Sequence, residues 1–155
     1  MMRSAKRKLP AWRVVWPWLI VLAMYAVIAW FSAQPGDVSD AQSGAITGRL
    51  PFQGNWVAVL VRKLAHVALF FPLGAAAGFA WLRSGDRGPK RHRRAVLRAV
   101  ALCALLAASD ELHQLFVPDR AALVSDVLLD TVSAALGALC AVGAANLFAT
   151  KRKNR

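Results

Sequence analysis

The fold of this chain is decided by its long apolar runs, of which the clearest is residues 123–149, LVSDVLLDTVSAALGALCAVGAANLFA. This run is longer than the ~20 residues that an α-helix needs to cross the hydrocarbon core of a bilayer. Three further apolar runs lie upstream, at residues 14–31, 64–82 and 95–117. Together the four runs predict an all-α membrane protein, a bundle of four transmembrane helices.

The composition is typical of a polytopic membrane protein rather than of a soluble basic protein. Hydrophobic residues make up 57% of the 155 residues, yet the formal net charge is +12. The charged residues fall in short blocks between the apolar runs instead of along amphipathic segments. We therefore divide the chain into a basic N-terminus (1–13), a membrane domain (14–149) and a basic tail (150–155). The first run is longer than the apolar part of a usual signal peptide, so we expect an uncleaved first span.

The basic residues predict the orientation of the bundle. With the N-terminus inside, the cytoplasmic segments carry 16 of the 20 lysines and arginines. The opposite side keeps Arg49, Arg62, Lys63 and Arg120, together with seven of the eight acids. This distribution follows the positive-inside rule, so we expect both termini in the cytoplasm. The stretch RGPKRHRR at residues 87–94 is then an orientation signal beside anionic lipid, and we expect no nucleic-acid partner.

Unusual polar residues gather on the side opposite the termini, which we call the outer face. Ionisable groups near or inside the outer leaflet are costly unless they are paired or hydrated, so these residues form the candidate site. They occupy the ends of the four spans and are Gln34, Arg62, Lys63, His66, Asp110, Glu111, His113, Gln114, Arg120, Asp126 and Asp130.

Helical spacing predicts which of these side chains share a face, since residues three or four positions apart lie together on a helix. Glu111 is offset by about 100° from Asp110, so it need not meet the same partner. The sets that share a face are Arg62 and Lys63 with His66, Asp110 with His113 and Gln114, and Asp126 with Asp130. These stripes can point into the bundle together.

Two interpretations of the outer face involve no reaction. In the first, Arg62, Lys63 and Arg120 form a cationic rim that binds the phosphate or carboxylate headgroup of a lipid. The other candidate ligand-binding residues are Gln34, Gln114, Asp126 and Asp130. In the second, the same cations neutralise the nearby acids and only fix the register of the helices.

The third interpretation is enzymatic. His113 or His66 would carry a proton, and Asp110 or Glu111 would orient the histidine. Two histidines and several carboxylates are also suitable ligands for zinc or manganese. The sequence has no H-E-x-x-H or C-x-x-C spacing, no Walker loop and no dinucleotide fingerprint, so it assigns neither a metal nor a cofactor.

Four motifs follow one another at the span ends. They are FSAQPG at 31–36, KxxHxxxFxxLG at 63–74, SDExHQxFxPDR at 109–120, and DVLLDT at 126–131 followed by Gly137. In order and spacing they resemble the VanZ-like family of bacterial membrane proteins. Three positions depart from the family pattern: Asp130 stands where asparagine is usual, Ser133 where glycine is common, and Phe70 where tyrosine is frequent.

The resemblance implies a protein of the bacterial cell envelope, because the family takes its name from a member associated with low-level resistance to teicoplanin. It implies no particular reaction. By motif position, the polar residues of the family correspond here to Gln34, Lys63, His66, Asp110, Glu111, His113, Gln114, Arg120 and Asp126.

We therefore expect a multi-pass protein of the bacterial plasma (inner) membrane, in contact with membrane lipids. Its outer-face pocket is expected to bind an anionic lipid or a lipid-linked envelope precursor. The alternative is a membrane-embedded hydrolase or transferase acting on a lipid-linked phosphate substrate. A purely structural cluster is the second alternative, and the sequence carries no indication of the oligomeric state.

Overall fold

The computed structural model describes residues 10–48, 55–85 and 88–153. These residues form no strand and five helices: α1 (Trp12–Ser32), α2 (Gly36–Thr47), α3 (Asn55–Arg83), α4 (Arg91–Gln114) and α5 (Val124–Lys153). The predicted all-α class is confirmed. Parts of the charge argument fall outside the described residues, namely the basic residues of 1–9, Arg49, Asp86, Arg87 and Arg155.

Three of the described helices are long and apolar enough to cross a membrane. They are Trp12–Ser32, Trp56–Arg83 and Val124–Lys151. They contain the predicted runs 14–31 and 64–82, and all but the first residue of the run 123–149. The described part of the chain thus has the apolar helices of a membrane protein.

Helix α4 contains most of the remaining predicted run, 95–117, but its composition differs from that of the three long apolar helices. Arg98 lies near its start, and Asp110 and Glu111 lie in its last turns. The helix packs against α1, α3 and α5. On its inner face Ala99 and Cys103 are fully buried. Helix α4 is therefore an integral member of the bundle that carries more charge than its partners.

Helix α2 is a short element that the apolar runs did not predict. It spans 12 residues with few large apolar side chains. Pro35 precedes it, in keeping with the preference of proline for the start of a helix, where no backbone N–H is needed. The helix packs against α3. It forms a side wall at the end of α1 rather than a fifth long helix.

Two glycines bring the backbones of α3 and α5 into direct contact. A Cβ atom on Gly74 would collide with the carbonyl group of Ala134, and one on Gly137 would collide with the carbonyl oxygen of Phe71. Such small-residue contacts permit close association of membrane helices. They fix the register of α3 against α5, and so they also position the polar side chains about two turns away.

The surface of the bundle is apolar where a soluble bundle would be polar. Leu105, Leu147 and Phe148 are each at least 70% exposed, whereas small residues such as Ala77 and Ala134 fill the interior. A soluble protein exposes such large apolar side chains only singly or at interaction sites. The distribution fits a protein surrounded by lipid.

Candidate functional site

The polar side chains meet at one end of the bundle, where α1 and α4 end and α3 and α5 begin. Those contributed by α3, α4 and α5 are called the polar cluster. Its members are Arg62, Lys63 and His66 of α3, Asp110, Glu111 and Gln114 of α4, and Asp126 and Asp130 of α5.

A histidine–carboxylate pair lies at the centre of the polar cluster. Nδ1 of His66 lies 3.0 and 3.2 Å from the two carboxylate oxygens of Asp130. The Asp130 side chain is 0% exposed and that of His66 is 13% exposed. A carboxylate that accepts the Nδ1 hydrogen orients the ring and leaves Nε2 for another partner. Asp130, one of the three positions that depart from the resembled motif pattern, thus has a defined contact in the structure.

One turn away, a lysine pairs with the second carboxylate of α5. Nζ of Lys63 lies 2.6 Å from Oδ1 of Asp126. The hydroxyl group of Ser125 donates a hydrogen bond of 3.2 Å to the same oxygen. Because Asp126 is buried, the ammonium group offsets the cost of placing its charge inside the bundle. The helical spacing on α3 and α5 sets this pair beside that of His66 and Asp130.

Glu111 links the end of α4 to the start of α5. Its Oε2 atom accepts a hydrogen bond of 2.8 Å from the backbone N–H of Leu123, the residue before α5. A carboxylate at a helix N-terminus is stabilised by the unpaired N–H groups there. The side chain is only 5% exposed, and its other oxygen, Oε1, has no hydrogen-bond partner among the described residues.

Asp110 points to a different partner from Glu111. Nε2 of Gln114 donates a hydrogen bond of 3.1 Å to Oδ2 of Asp110, and both side chains are buried. This is the i,i+4 contact that the spacing predicts. His113, which the same spacing places near Asp110, is exposed and lines neither of the two cavities described below. Among the described residues, His66 is therefore the histidine of the polar cluster.

Arg120 fastens the end of α1 to the segment between α4 and α5. Its guanidinium group donates hydrogen bonds of 3.1 Å to the carbonyl oxygens of Gln34 and Phe31. The backbone N–H of Gly36 donates to the carbonyl oxygen of Pro118 at 3.0 Å. The motifs at 31–36 and 109–120 are therefore joined by hydrogen bonds.

Burial and a neighbouring charge act on Arg120 as well. Its partial burial lowers the pKa of its guanidinium group from the usual value, and the nearby charge of Arg62 acts in the same direction. Arginine nonetheless stays protonated in proteins because its ordinary pKa is so high. Arg120 thus supplies a permanent positive charge beside the polar cluster.

Arg62 is held by a residue that the sequence did not single out. Its Nη2 atom lies 2.9 Å from Oδ1 of Asp40, on helix α2, and both side chains are well exposed. Exposed pairs of this kind contribute little to stability, roughly 0–1 kcal/mol. The nearby amide groups of Gln42 and Gln34 also form a hydrogen bond, of 2.6 Å. Each cation of the predicted rim therefore has a polar partner in the structure.

A cavity of about 340 Å³ lies between the ends of α1, α2, α3 and α4. Its wall is largely apolar, with Ile28, Phe31, Ile46, Leu69 and Phe70 among the lining residues. One part of the wall is polar. The predicted site residues that line it there are Arg62, His66, Asp110, Gln114 and Arg120.

Helix α2 supplies a polar strip to this cavity that sequence reasoning missed. Ser39, Gln42 and Ser43 line the cavity as this strip, and the apolar Ile46 lines it one turn further along α2. Their spacing of three, one and three residues places them on one face of a helix. That periodicity was the available signal, but it appears only if the segment after Pro35 is taken as helical.

A smaller cavity of about 90 Å³ adjoins the first, since Arg62, His66, Gln114 and Arg120 line both. Lys63 and Asp126 add polar groups to its wall, and Leu123 adds an apolar one. Most of the polar cluster therefore borders one or both of these cavities, whereas Glu111 and Asp130 are buried and line neither.

The fold and the site together define a class, the integral membrane proteins with a polar site at one end of a helical bundle. A family model described as VanZ/LLP1 matches residues 17–148. The match covers most of the chain, from α1 to α5, so the chain belongs to the VanZ/LLP1 family and the resemblance seen in its motifs is confirmed. Comparisons with curated proteins and with solved structures returned no match.

Proposed function

We propose that this chain spans the bacterial plasma membrane four times, with both termini in the cytoplasm. In this proposal α4 crosses the membrane in addition to α1, α3 and α5. Its 24 residues correspond to about 36 Å, enough to cross the hydrocarbon core. It begins at Arg91, beyond the end of α3, and finishes at the polar cluster, near the start of α3. It thus runs antiparallel to α3 along a comparable length.

We further propose that the larger cavity binds an anionic membrane lipid or a lipid-linked envelope precursor. The observation that carries this proposal is the pairing of an apolar wall with two guanidinium groups, those of Arg62 and Arg120, in one cavity of about 340 Å³. Ligand pockets are typically roughly 300–1,000 Å³ and mainly apolar, with a few polar groups that orient the ligand. Apolar chains suit the wall, and a phosphate suits the guanidinium groups.

The arrangement of Arg62 supports a role in binding rather than in folding. Its partner Asp40 is 68% exposed, so Arg62 can exchange this carboxylate for a phosphate at little cost. Arg120 already uses its guanidinium group to hold the end of α1. Arg62 is therefore the cation most available to an incoming headgroup.

Lipid retention by the purified protein tests this proposal. Native mass spectrometry would compare phosphatidylglycerol with phosphatidylcholine of the same acyl chains, on the wild-type protein and on Arg62→Gln. We expect the wild-type protein to prefer phosphatidylglycerol and Arg62→Gln to lose about tenfold in affinity for it, the effect of one charged hydrogen bond.

Arg93→Gln is the matched control, because Arg93 is exposed and lies at the opposite end of α4. It removes the same charge without touching the cavity, so any loss of phosphatidylglycerol measures the general effect of charge and should be much smaller than the loss in Arg62→Gln. Equal binding of both lipids by the wild-type protein, or equal losses in the two variants, would show that the cavity does not bind the anionic headgroup through Arg62.

A membrane-embedded hydrolase or transferase acting on a lipid-linked phosphate is the second candidate function. The observation that favours it is the His66–Asp130 pair, whose histidine lines the larger cavity. A carboxylate that orients a histidine is a common arrangement for proton transfer. In this proposal His66 carries the proton and Asp130 positions it, whereas His113 has no place at the cavity.

Turnover of labelled envelope lipids by reconstituted protein tests this second candidate. Product should form with the wild-type protein and disappear in His66→Gln while lipid retention persists. If the wild-type protein retains the lipid but forms no product, the enzymatic proposal is wrong and only the proposal of lipid binding stands. A role in the cell envelope, including the resistance to glycopeptides associated with the family, is part of either proposal.

A further inference from the structure

Three side chains of the polar cluster converge from three different helices. His66 of α3, Glu111 of α4 and Asp126 of α5 each offer one ligand atom, and these atoms lie within 4.8 Å of one another. We propose that they bind a divalent transition-metal ion of the zinc or manganese class. An ion about 2.0–2.2 Å from each ligand atom needs those atoms no more than about 4.4 Å apart, so small side-chain rotations would close the three ligands on it.

Glu111 provides independent support for a missing ligand. Its side chain is only 5% exposed, yet Oε1 has no hydrogen-bond partner among the described residues. The other oxygen is already used by the backbone N–H of Leu123. An unpartnered carboxylate oxygen inside a protein carries a substantial energetic cost, which a bound cation removes.

His66 is prepared to act as a metal ligand. Asp130 lies 3.0 Å from Nδ1, so Nε2 is the ring nitrogen that would bind the ion. Metal-binding histidines almost always donate their other ring N–H to a carboxylate, a carbonyl group or water, which fixes the ring and raises its basicity. The buried Asp130 has this second role in the proposed site.

The balance of charge points in the same direction. Glu111, Asp126 and Asp130 bring three carboxylates to the site, and Lys63 brings one ammonium group. When all three carboxylates are ionised and His66 is neutral, as metal binding requires, the charge is about minus two, which one divalent cation would compensate. Lys63 contacts Oδ1 of Asp126, so Oδ2 is the oxygen of Asp126 that would face the ion.

One imidazole and two carboxylates form a mixed nitrogen and oxygen set that both Zn²⁺ and Mn²⁺ accept, and Zn²⁺ is the tighter binder of the two in most sites. Three protein ligands leave at least one coordination position open. Since His66 lines the larger cavity, the ion would lie beside the proposed lipid site. The metal site does not require that lipid, and it is tested without it.

The experiment uses full-length protein, purified in detergent without added lipid, freed of its affinity tag and treated with EDTA. It is then dialysed against micromolar ZnCl₂ or MnCl₂, and bound metal is measured by mass spectrometry of the elements. We expect close to one ion per chain, with Zn²⁺ displacing Mn²⁺. Glu111→Gln should bind at least about tenfold more weakly, because its amide still accepts the Leu123 N–H but brings no charge to the ion.

Asp110→Asn is the matched control, because Asp110 is a buried carboxylate next in sequence to Glu111 that is absent from the three converging ligands. It should keep the ion. Asp130→Asn should weaken binding by about tenfold, as the loss of an outer-shell carboxylate does. Equal metal loss in Asp110→Asn and Glu111→Gln would show a general effect of charge and would overturn the proposal.

A second measurement needs no variant. Zn²⁺ should raise the unfolding midpoint of the wild-type protein, and EDTA should reverse the shift, because a ligand that binds only the folded state stabilises it. Wild-type protein that binds no ion and shows no shift would overturn the metal site and leave protons to neutralise the carboxylates. Lipid retention by the EDTA-treated protein would be unaffected by that result, so the two proposals fail separately.

Discussion

At the scale of single residues, the pairing of His66 with Asp130 has the clearest energetic consequence. Replacing His66 alone with leucine leaves the fully buried Asp130 carboxylate without its partner. Leaving a buried carboxylate without its partner typically costs about 3–5 kcal/mol, whereas replacing both side chains with apolar residues costs much less. We expect His66→Leu to lower the free energy of unfolding by about 3 kcal/mol.

The double variant His66→Leu/Asp130→Leu is the control for this prediction. It should be more stable than His66→Leu, and thermal unfolding in detergent would measure the difference. A double variant that is less stable than either single variant would mean that the two side chains contribute independently and that their contact is not a coupled pair.

Residue-scale prediction from the sequence succeeded where the contact is local. The i,i+4 spacing of Asp110 and Gln114 predicted a shared face, and the hydrogen bond between them confirms it. The same rule did not distinguish His113, which is exposed, because a spacing rule fixes relative angle and not which direction faces the bundle. That direction depends on the neighbouring helices.

The partner of each cation also could not be predicted from the sequence. Lys63 has Asp126 as its partner, and Arg62 has Asp40. Both pairs join residues far apart in the chain, so they follow from the docking of α2 and α5 on α3. No local pattern contains that information.

At the scale of elements, the contact of α3 with α5 sets the geometry of the site. Gly137 faces the backbone of Phe71, and an added methyl group would collide with it. Overpacking of this kind costs typically about 1–3 kcal/mol. We expect Gly137→Ala to lower the unfolding midpoint, and to weaken lipid retention because His66 and Asp130 lie on the two helices that it separates.

Gly143→Ala is the matched control on the same helix, because an added methyl group there meets nothing within 4 Å. Alanine favours a helix over glycine by up to about 1 kcal/mol, so this variant should be as stable as the wild-type protein or slightly more stable. If Gly143→Ala lowers the midpoint as much as Gly137→Ala, the close α3–α5 contact is not the cause.

Prediction of the elements from the sequence followed their hydropathy. Three of the four apolar runs became helices with the length and composition of spans, since twenty apolar residues leave few alternatives to a membrane helix. Helix α2 was missed because its 12 residues are mostly polar. Its helical structure depends on Pro35 at its start and on packing against α3, not on an apolar run.

At the scale of the whole molecule, the remaining question is which ends of the helices face which side. The ends of α1 and α4 lie together, since the N–H of Gly36 bonds the carbonyl oxygen of Pro118. The segment around Lys90 follows the opposite end of α3. If α1 and α3 cross a membrane, this arrangement places the segments after α1 and after α4 on one side and Lys90 on the other.

Labelling of single cysteines with a membrane-impermeant maleimide tests both the orientation of the bundle and whether α4 crosses the membrane. The parent protein would carry alanine at Cys103 and Cys140 and should take up no label. Asp37, Lys90 and Ala121, all exposed, would then be replaced by cysteine one at a time. The positive-inside rule predicts label on Asp37→Cys and Ala121→Cys in intact cells, and on Lys90→Cys only after the membrane is permeabilised.

The reverse labelling pattern would mean that the bundle is inverted and that the proposed lipid cavity lies in the cytoplasmic leaflet. Label on Asp37→Cys but not on Ala121→Cys would remove α4 as a span.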